Sequence, residues 1–385
     1  MEEINKRKEA IDLWLKGKKI KEISLKLNRS RQWVHKWINR YNASPDHEWF
    51  KSFSRSPKTN PKVITQELEE QVINFREKLC GQKYSQTGAT SIQYEFYKSG
   101  IEPPPVWTIN RILKRNNLIF KSLEKTKRSV AYPNLYFSCH QIDLVGPRYL
   151  KGGFRYYLFN LIDIETHFAM VWPVLGKSAD HLIQGIITFW RDFGFPDCLQ
   201  MDNELAFRGS NRHPRALGII LRFILSQGVI PLFIPPAEPW RNGIIEKFND
   251  ISQSKFITSQ LFDNFEQLKG EAVNFSSFHN QNHRYSTQGN RTPNEMIRYM
   301  LPPIKLSKKF ILPEIIPLEE GSIIFIRFIR SDLKIVILGT TFQVKKELMY
   351  SYVVAELIIH IHTLLIKQDN IVHHRFYFEM PVNLQ

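Results

Sequence analysis

The chain has 385 residues, 43% of them hydrophobic, with 53 Lys and Arg against 37 Asp and Glu for a formal net charge of +16. This length and content suit packed cores in roughly two to four domains and exclude a disordered chain. No charged start leads into an apolar stretch and no apolar run reaches about 18 residues, so neither export nor membrane insertion is expected, and the chain is assigned to the cytoplasm.

The positive charge is concentrated at the start. Residues 1–130 hold 27 Lys and Arg against 14 Asp and Glu, a net +13 of the total +16. Attraction to phosphate is therefore expected in the N-terminal third. Cys80, Cys139 and Cys198 are scattered, with no Cys-x-x-Cys pair, which argues against a disulfide framework and a structural zinc site.

In residues 1–42, Ile4, Ala10, Ile11, Trp14 and Leu15 share a helical face that ends at Gly17. Ile20, Ile23 and Leu27 mark a second short helix. Asn28 suits a left-handed turn, and Ser30 is a natural N-cap for a third helix reaching about Tyr41. This is a helix-turn-helix pattern. Its third helix would enter the major groove with Arg31, Gln32, His35 and Lys36 toward the bases, while Val34, Trp37 and Ile38 pack inward.

Residues 43–62 are rich in Ser and Pro and read as a linker. Residues 63–120 form a second helical unit. In it, Ile109, Ile112 and Leu113 would face inward and Asn110, Arg111, Lys114 and Arg115 outward, as on a second recognition helix. A basic linker, 121–132, leads to the core.

Residues 133–301 read as three strands (136–145, 154–164, 168–175), a helix from Ser178 to Phe193 and a strand ending at Asp202. A helix over 214–227, a strand over 229–234, a helix carrying Glu246 and a helix over 265–282 follow. Three acids stand out in this order. Asp143 lies in an apolar strand, Asp202 closes another, and Glu246 falls on the first turn of a helix after the Pro-rich loop 235–243. Phosphoryl transfer on DNA by two divalent ions about 4 Å apart needs such hard oxygen ligands. Asp163 is a tempting fourth acid but reads as structural, and His140 and His167 as core or hydrogen-bonded residues.

The stretch Pro235 to Asn249 resembles the signature Pro-x-x-Pro-x-x-Asn-Gly-x-x-Glu-x-x-Asn of DDE transposases and retroviral-type integrases, and Asp202-Asn203 is similar to their second motif. The resemblance is to bacterial insertion-sequence transposases with an integrase core and covers about residues 133–301. It implies a multidomain protein: N-terminal all-α helix-turn-helix units, a central α/β RNase H-like core, and a C-terminal small β-barrel. Asp143, Asp202 and Glu246 would be the catalytic metal ligands, binding two Mg²⁺ ions with Mn²⁺ able to substitute. DNA would be the partner, at the element ends and at the target, with the protein a homo-oligomer on DNA in a prokaryotic nucleoid. The His/Cys zinc module of retroviral integrases is absent.

One departure is that 43 residues (203–245) separate the second and third acids, with the excess in the polar stretch 208–215. That stretch reads as an inserted loop, either touching DNA or idle at the surface. Trp240, Arg241 and Asn242 are candidate DNA contacts in the loop before Glu246, Trp240 being equally suited to anchor the loop by packing.

After a linker over 302–315, five short strand candidates (322–328, 334–338, 352–359, 362–367, 371–378) suggest an SH3-like barrel over 316–385. The function expected is cleavage at the 3′ ends of a mobile element and strand transfer into target DNA. A catalytically silent DNA-binding regulator and an RNase H-type nuclease without joining are the competing classes.

Overall fold

The computed structural model describes residues 2–44, 48–52, 64–119, 131–135, 137–209, 215–316 and 320–380. Most of the expected linker 43–62, most of the basic linker 121–132 and the centre of the 208–215 insertion lie outside the described residues. The chain forms two compact units, Met1–Thr65 and Gln66–Gln385.

The first unit is built from α1 (Glu2–Leu15), α2 (Ile20–Lys26) and α3 (Arg31–Ala43). Asn28 takes the left-handed conformation at φ 50°, and the Ser30 hydroxyl accepts from Trp33 N–H at 3.1 Å, capping α3 as its sequence predicts. Ala10, Ile11, Ile23, Leu27, Val34, Trp37 and Ile38 form the core, whereas Leu15 stays exposed. The Arg7 guanidinium lies 4.2 Å from the Trp37 ring centre, covering that ring with a cation.

The second unit opens with α4 (Gln66–Gly81), α5 (Ala89–Lys98) and α6 (Val106–Arg115). Ile92, Phe96, Ile109, Ile112 and Leu113 are buried between them. Buried Glu95 is neutralised by Lys78 at 2.8 Å and Lys98 at 3.1 Å, and these bonds hold its carboxyl below the usual range against the opposing effect of burial. The loop between α4 and α5 docks on residues 271–284. The Tyr84 ring meets Phe275 edge-on at 5.3 Å and its hydroxyl reaches Glu271. Gln86 both accepts from Arg284 N–H at 2.6 Å and donates to its carbonyl at 2.9 Å.

The central strands are β1 (Cys139–Tyr149), β2 (Arg155–Asp163), β3 (Ala169–Val174), β4 (Cys198–Met201) and β5 (Ile230–Phe233). Around them run α7 (Ala179–Asp192), α8 (Leu205–Arg208), α9 (Ile219–Ser226), α10 (Gly243–Ser252), α11 (Phe265–Asn282) and α12 (Pro293–Ile297). Strands β1 to β3 pair antiparallel, β4 adds to β1 and β5 to β4 in parallel, giving a mixed sheet in the order β3-β2-β1-β4-β5, with three consecutive strands and then alternating helix and strand as the sequence predicts. Period-2 alternation sorts β2 between the two faces. Tyr157, Phe159 and Leu161 pack with α7 and α9, while Tyr156, Leu158 and Ile162 pack with Phe248, Phe275 and their neighbours on α10 and α11.

The helix expected over 214–227 is shorter, beginning at Ile219. Gly209 and Gly218 meet back to back there, so that a Cβ on Gly209 would stand 2.8 Å from the Gly218 backbone. The chain entering the 208–215 stretch is thereby held against the residue that precedes α9.

The C-terminal region departs most from expectation. Its strands are β6 (Ser322–Phe328), β7 (Lys334–Ile337), β8 (Thr340–Gln343), β9 (Tyr352–Ile358), β10 (Thr363–Gln368) and β11 (Ile371–Tyr377). All five expected strands are present, but among the described residues they do not close into a separate barrel. Strand β6 pairs in parallel with the open edge of β5, Leu232 opposite Ile324 and Phe233 opposite Phe325, and β9, β10 and β11 follow antiparallel. The result is one nine-stranded sheet, with β7 and β8 as a separate ribbon. The cause is the edge of β5, whose unpaired backbone groups and apolar side chains need a partner. The Phe233 and Phe325 rings stack at 5.1 Å, joining the C-terminal strands to the core.

Candidate active site

Asp143 projects from β1 between Ile142 and Leu144, whose side chains enter the core on the opposite face. Asp202 immediately follows β4, the parallel neighbour of β1. Asp143 and Asp202 thus stand on, and just after, adjacent strands, and the Asp202 charge acts on Asp143. Burial, countered by the Asn249 hydrogen bond and reinforced by the negative charges of Asp202 and Glu204, pushes the Asp143 carboxyl up to about 6. Burial likewise raises Asp202, whose Oδ1 accepts from Glu204 N–H at 2.9 Å. Lys177 is ion-paired with Glu204 and tempers the local negative charge.

Glu246 is half-buried on the first turn of α10, where the positive end of the helix dipole favours a carboxylate. Asn249, one turn further along the same face, donates to Asp143 Oδ2 at 2.5 Å and accepts from Asn160 at 2.7 Å. Three amide side chains fix the entry to α10. Gln141 Oε1 accepts from Ile245 N–H at 2.9 Å, and Asn242 donates to the Ile142 carbonyl at 3.2 Å. Gln200 donates to Asn242 Oδ1 at 3.0 Å and to the Arg241 carbonyl at 3.1 Å. The helix bearing Glu246 is therefore pinned to β1, which carries Asp143, and to β4, which Asp202 follows.

The donor set fits a hard divalent cation in part. Asp143 and Asp202 are oxygen donors whose raised proton affinity reflects burial and negative neighbours, a cost that a cation would relieve. Among the described residues, however, no three His, Cys, Asp or Glu side chains are grouped closely enough to hold a metal ion.

The Pro-rich loop does not present all its expected members to solvent. Asn242 is buried and committed to the hydrogen bonds above. Arg241 is held between the Tyr132 and Tyr352 rings, 3.9 and 4.8 Å from their centres, and pairs with Glu238 at 3.1 Å. A guanidinium so enclosed is occupied in shaping the loop. Trp240 is 41% exposed. On α3, Arg31, Gln32, His35 and Lys36 are all exposed on one face. Asn110, Arg111, Lys114 and Arg115 are likewise exposed on α6, although Arg115 is engaged by Glu69 and Arg111 lies against the Trp107 ring.

Asp163 has the structural place its sequence suggests: its buried Oδ2 accepts from Thr166 N–H at 2.7 Å and the Thr166 hydroxyl at 2.6 Å. His140 is buried against Phe189 and Phe193, and His167 packs on Tyr285. Sequence reasoning missed Asn160, Glu204 and Lys177. Asn160 carried a signal, being the one amide within the apolar run 156–162.

Residues 3–46 match the family of homeodomain-like domains. No curated protein matches the chain. Among solved structures, the integrase catalytic core of HTLV-2 in complex with magnesium is similar at 17% identity and TM-score 0.33, covering 41% of this chain and 95% of that one. The simian T-cell lymphotropic virus intasome in complex with a PP2A regulatory subunit is similar at 13% identity and TM-score 0.37, covering 75% and 93%. The BIV integrase core is similar at 13% identity and TM-score 0.33, covering 42% and 94%. Among the described residues, no helix is long and apolar enough to cross a membrane.

Proposed function

We propose that this chain is a DDE-type transposase, which binds the ends of a mobile DNA element, cuts them to free 3′-hydroxyls, and joins those to target DNA. The observation that carries this reading is the placing of Asp143 and Asp202 on neighbouring parallel strands beneath a helix that bears Glu246 and reaches Asp143 through Asn249. Homeodomain-like residues 3–46, with the exposed basic face of α3, support a DNA substrate.

In this reading Asp143, Asp202 and Glu246 would hold two Mg²⁺ ions, which supply activation of the attacking oxygen and charge relief at the leaving oxygen, with Mn²⁺ able to substitute. Asn249 and Asn160 keep the Asp143 carboxylate aimed. The Glu204 N–H does the same for Asp202. Gln141, Gln200 and Asn242 hold the Glu246 helix over both. In the first step a water oxygen bonds to phosphorus as the phosphorus–O3′ bond breaks, and the 3′ oxygen leaves with a proton as the element's free 3′-hydroxyl. In the second step that hydroxyl attacks a target phosphodiester, displacing the target's own 3′ oxygen. The exposed faces of α3 and α6 would bind the ends, and the active form would be a homo-oligomer on DNA.

The test is incubation of purified protein with labelled duplexes from the DNA flanking its gene, with Mg²⁺, Mn²⁺ or EDTA. Cleavage that leaves a 3′-hydroxyl, needs the cation and disappears in Asp202→Asn supports the reading. Equal cleavage by the variant refutes it.

A further inference from the structure

The C-terminal strands place a cation beside the proposed catalytic edge. Arg327 stands near the end of β6, the strand that extends the core sheet beyond β5. Its guanidinium donates to Asn203 Oδ1 at 3.0 Å, to the Ile234 carbonyl at 3.3 Å and to the Ile326 carbonyl at 2.9 Å. Asn203 in turn donates to the Ile234 carbonyl at 2.6 Å. The ends of β4, β5 and β6 are thus tied around one carbonyl and one amide side chain, and the residue before that amide is Asp202.

The arrangement is costly for sheet cohesion alone. Backbone pairing and the Phe233–Phe325 stack already join β5 to β6. Among the described residues no carboxylate forms an ion pair with Arg327, and burial, reinforced by the positive charge of Arg208, lowers its guanidinium to about 10. A half-buried cation met by neutral oxygens and by the Phe325 ring, 5.2 Å from its centre, still loses hydration that an apolar side chain would not. What the cation gains is a fixed orientation for Asn203. The turn 202–204 is then held on one side by Arg327 and on the other by the bond from Glu204 N–H to Asp202 Oδ1.

We propose that Arg327 is a positioning residue for Asp202, acting through Asn203, so that the C-terminal strands complete the metal-binding edge. This rests on the transposase reading of Asp202. Partners that orient a metal ligand from behind are commonly worth about 10- to 100-fold in metal affinity.

The test is Mn²⁺ binding to the full-length protein, read by electron paramagnetic resonance, alongside thermal unfolding. Wild type should bind Mn²⁺ and Asp202→Asn should not. Arg327→Met and Asn203→Ala should each weaken binding about 10- to 100-fold, and the double variant little more than either, since both break one chain of contacts. Arg327→Lys, which keeps the cation, should recover part of the loss. Should Arg327→Met fail to fold, Asn203→Ala carries the test, because it leaves the β5–β6 pairing intact. Wild-type affinity in a folded Arg327→Met or in Asn203→Ala overturns the positioning role while leaving the transposase reading standing. Absence of any Mn²⁺ binding that depends on Asp202 overturns both.

Discussion

The Asn249 amide donates to Asp143 Oδ2 at 2.5 Å, linking the helix of one proposed catalytic acid to the strand of another. Because Asn249 is itself held by Asn160 at 2.7 Å, the contact is a chain of three side chains rather than a single bond. Asn249→Ala should therefore leave DNA binding unchanged and lower the cleavage rate about 10- to 100-fold, as loss of a bond that orients a metal ligand does. Asn160→Ala should act in the same direction more weakly. An Asn249→Ala protein that cuts at the wild-type rate would detach α10 from the chemistry.

End recognition should depend on α3. Arg31 is exposed at its first position, where a side chain reaches base edges when such a helix lies in the major groove. In the full-length protein, Arg31→Ala should reduce discrimination between the element's end and unrelated duplex by about 1–3 kcal/mol if the residue reads a guanine. Lys36→Ala, as a phosphate contact, should weaken both and flatten the salt dependence. Fluorescence anisotropy across a salt series reads both effects, and unchanged discrimination in Arg31→Ala would move recognition elsewhere.

A half-buried histidine beneath the docked helical unit should make stability fall with acid. His283 contacts Gln86 at 3.0 Å and packs against His279 and Tyr285. Burial, followed by the charges of His167, Lys255 and Lys247, lowers it to about 4. A folded value below the unfolded value of about 6.5 means the unfolded chain takes up the proton first. The neutral ring's contribution is thus full above about 6.5 and lost as pH falls toward 4. Between pH 7 and 5 the stability advantage of wild type over His283→Gln should shrink by about 2 kcal/mol. Urea unfolding at the two pH values measures this, and a constant difference would contradict it.

Much of the core was legible because its signals are local. Ser30 and Asn28 mark the α2–α3 turn, and the alternation around Asp143 and the helical spacing after Gly243 place their acids on the right elements. The C-terminal strands were equally legible as strands. Their destination was not, since Ser322 to Phe328 has the same period whether it closes a barrel or caps the open edge of β5. Arg241 and Asn242 show a similar limit. Polar residues beside a proposed catalytic motif look available for DNA, yet Tyr132 and Tyr352, 109 and 111 residues away from Arg241 in sequence, enclose its guanidinium, and distant Gln200 engages Asn242. Partners so remote leave no periodic trace beside the motif.

Strand joining tests the central claim most directly. A duplex end from the flanking DNA, pre-cut to expose its 3′-hydroxyl, is incubated with the full-length protein and unrelated supercoiled plasmid in Mg²⁺ or Mn²⁺ without ATP. If the same acids serve the second attack as the first, labelled end should become covalently joined to plasmid by wild type and not by Asp202→Asn. Hydrolysis of ends with no joined product, in either metal and with a second end supplied, would contradict the account and identify a nuclease instead.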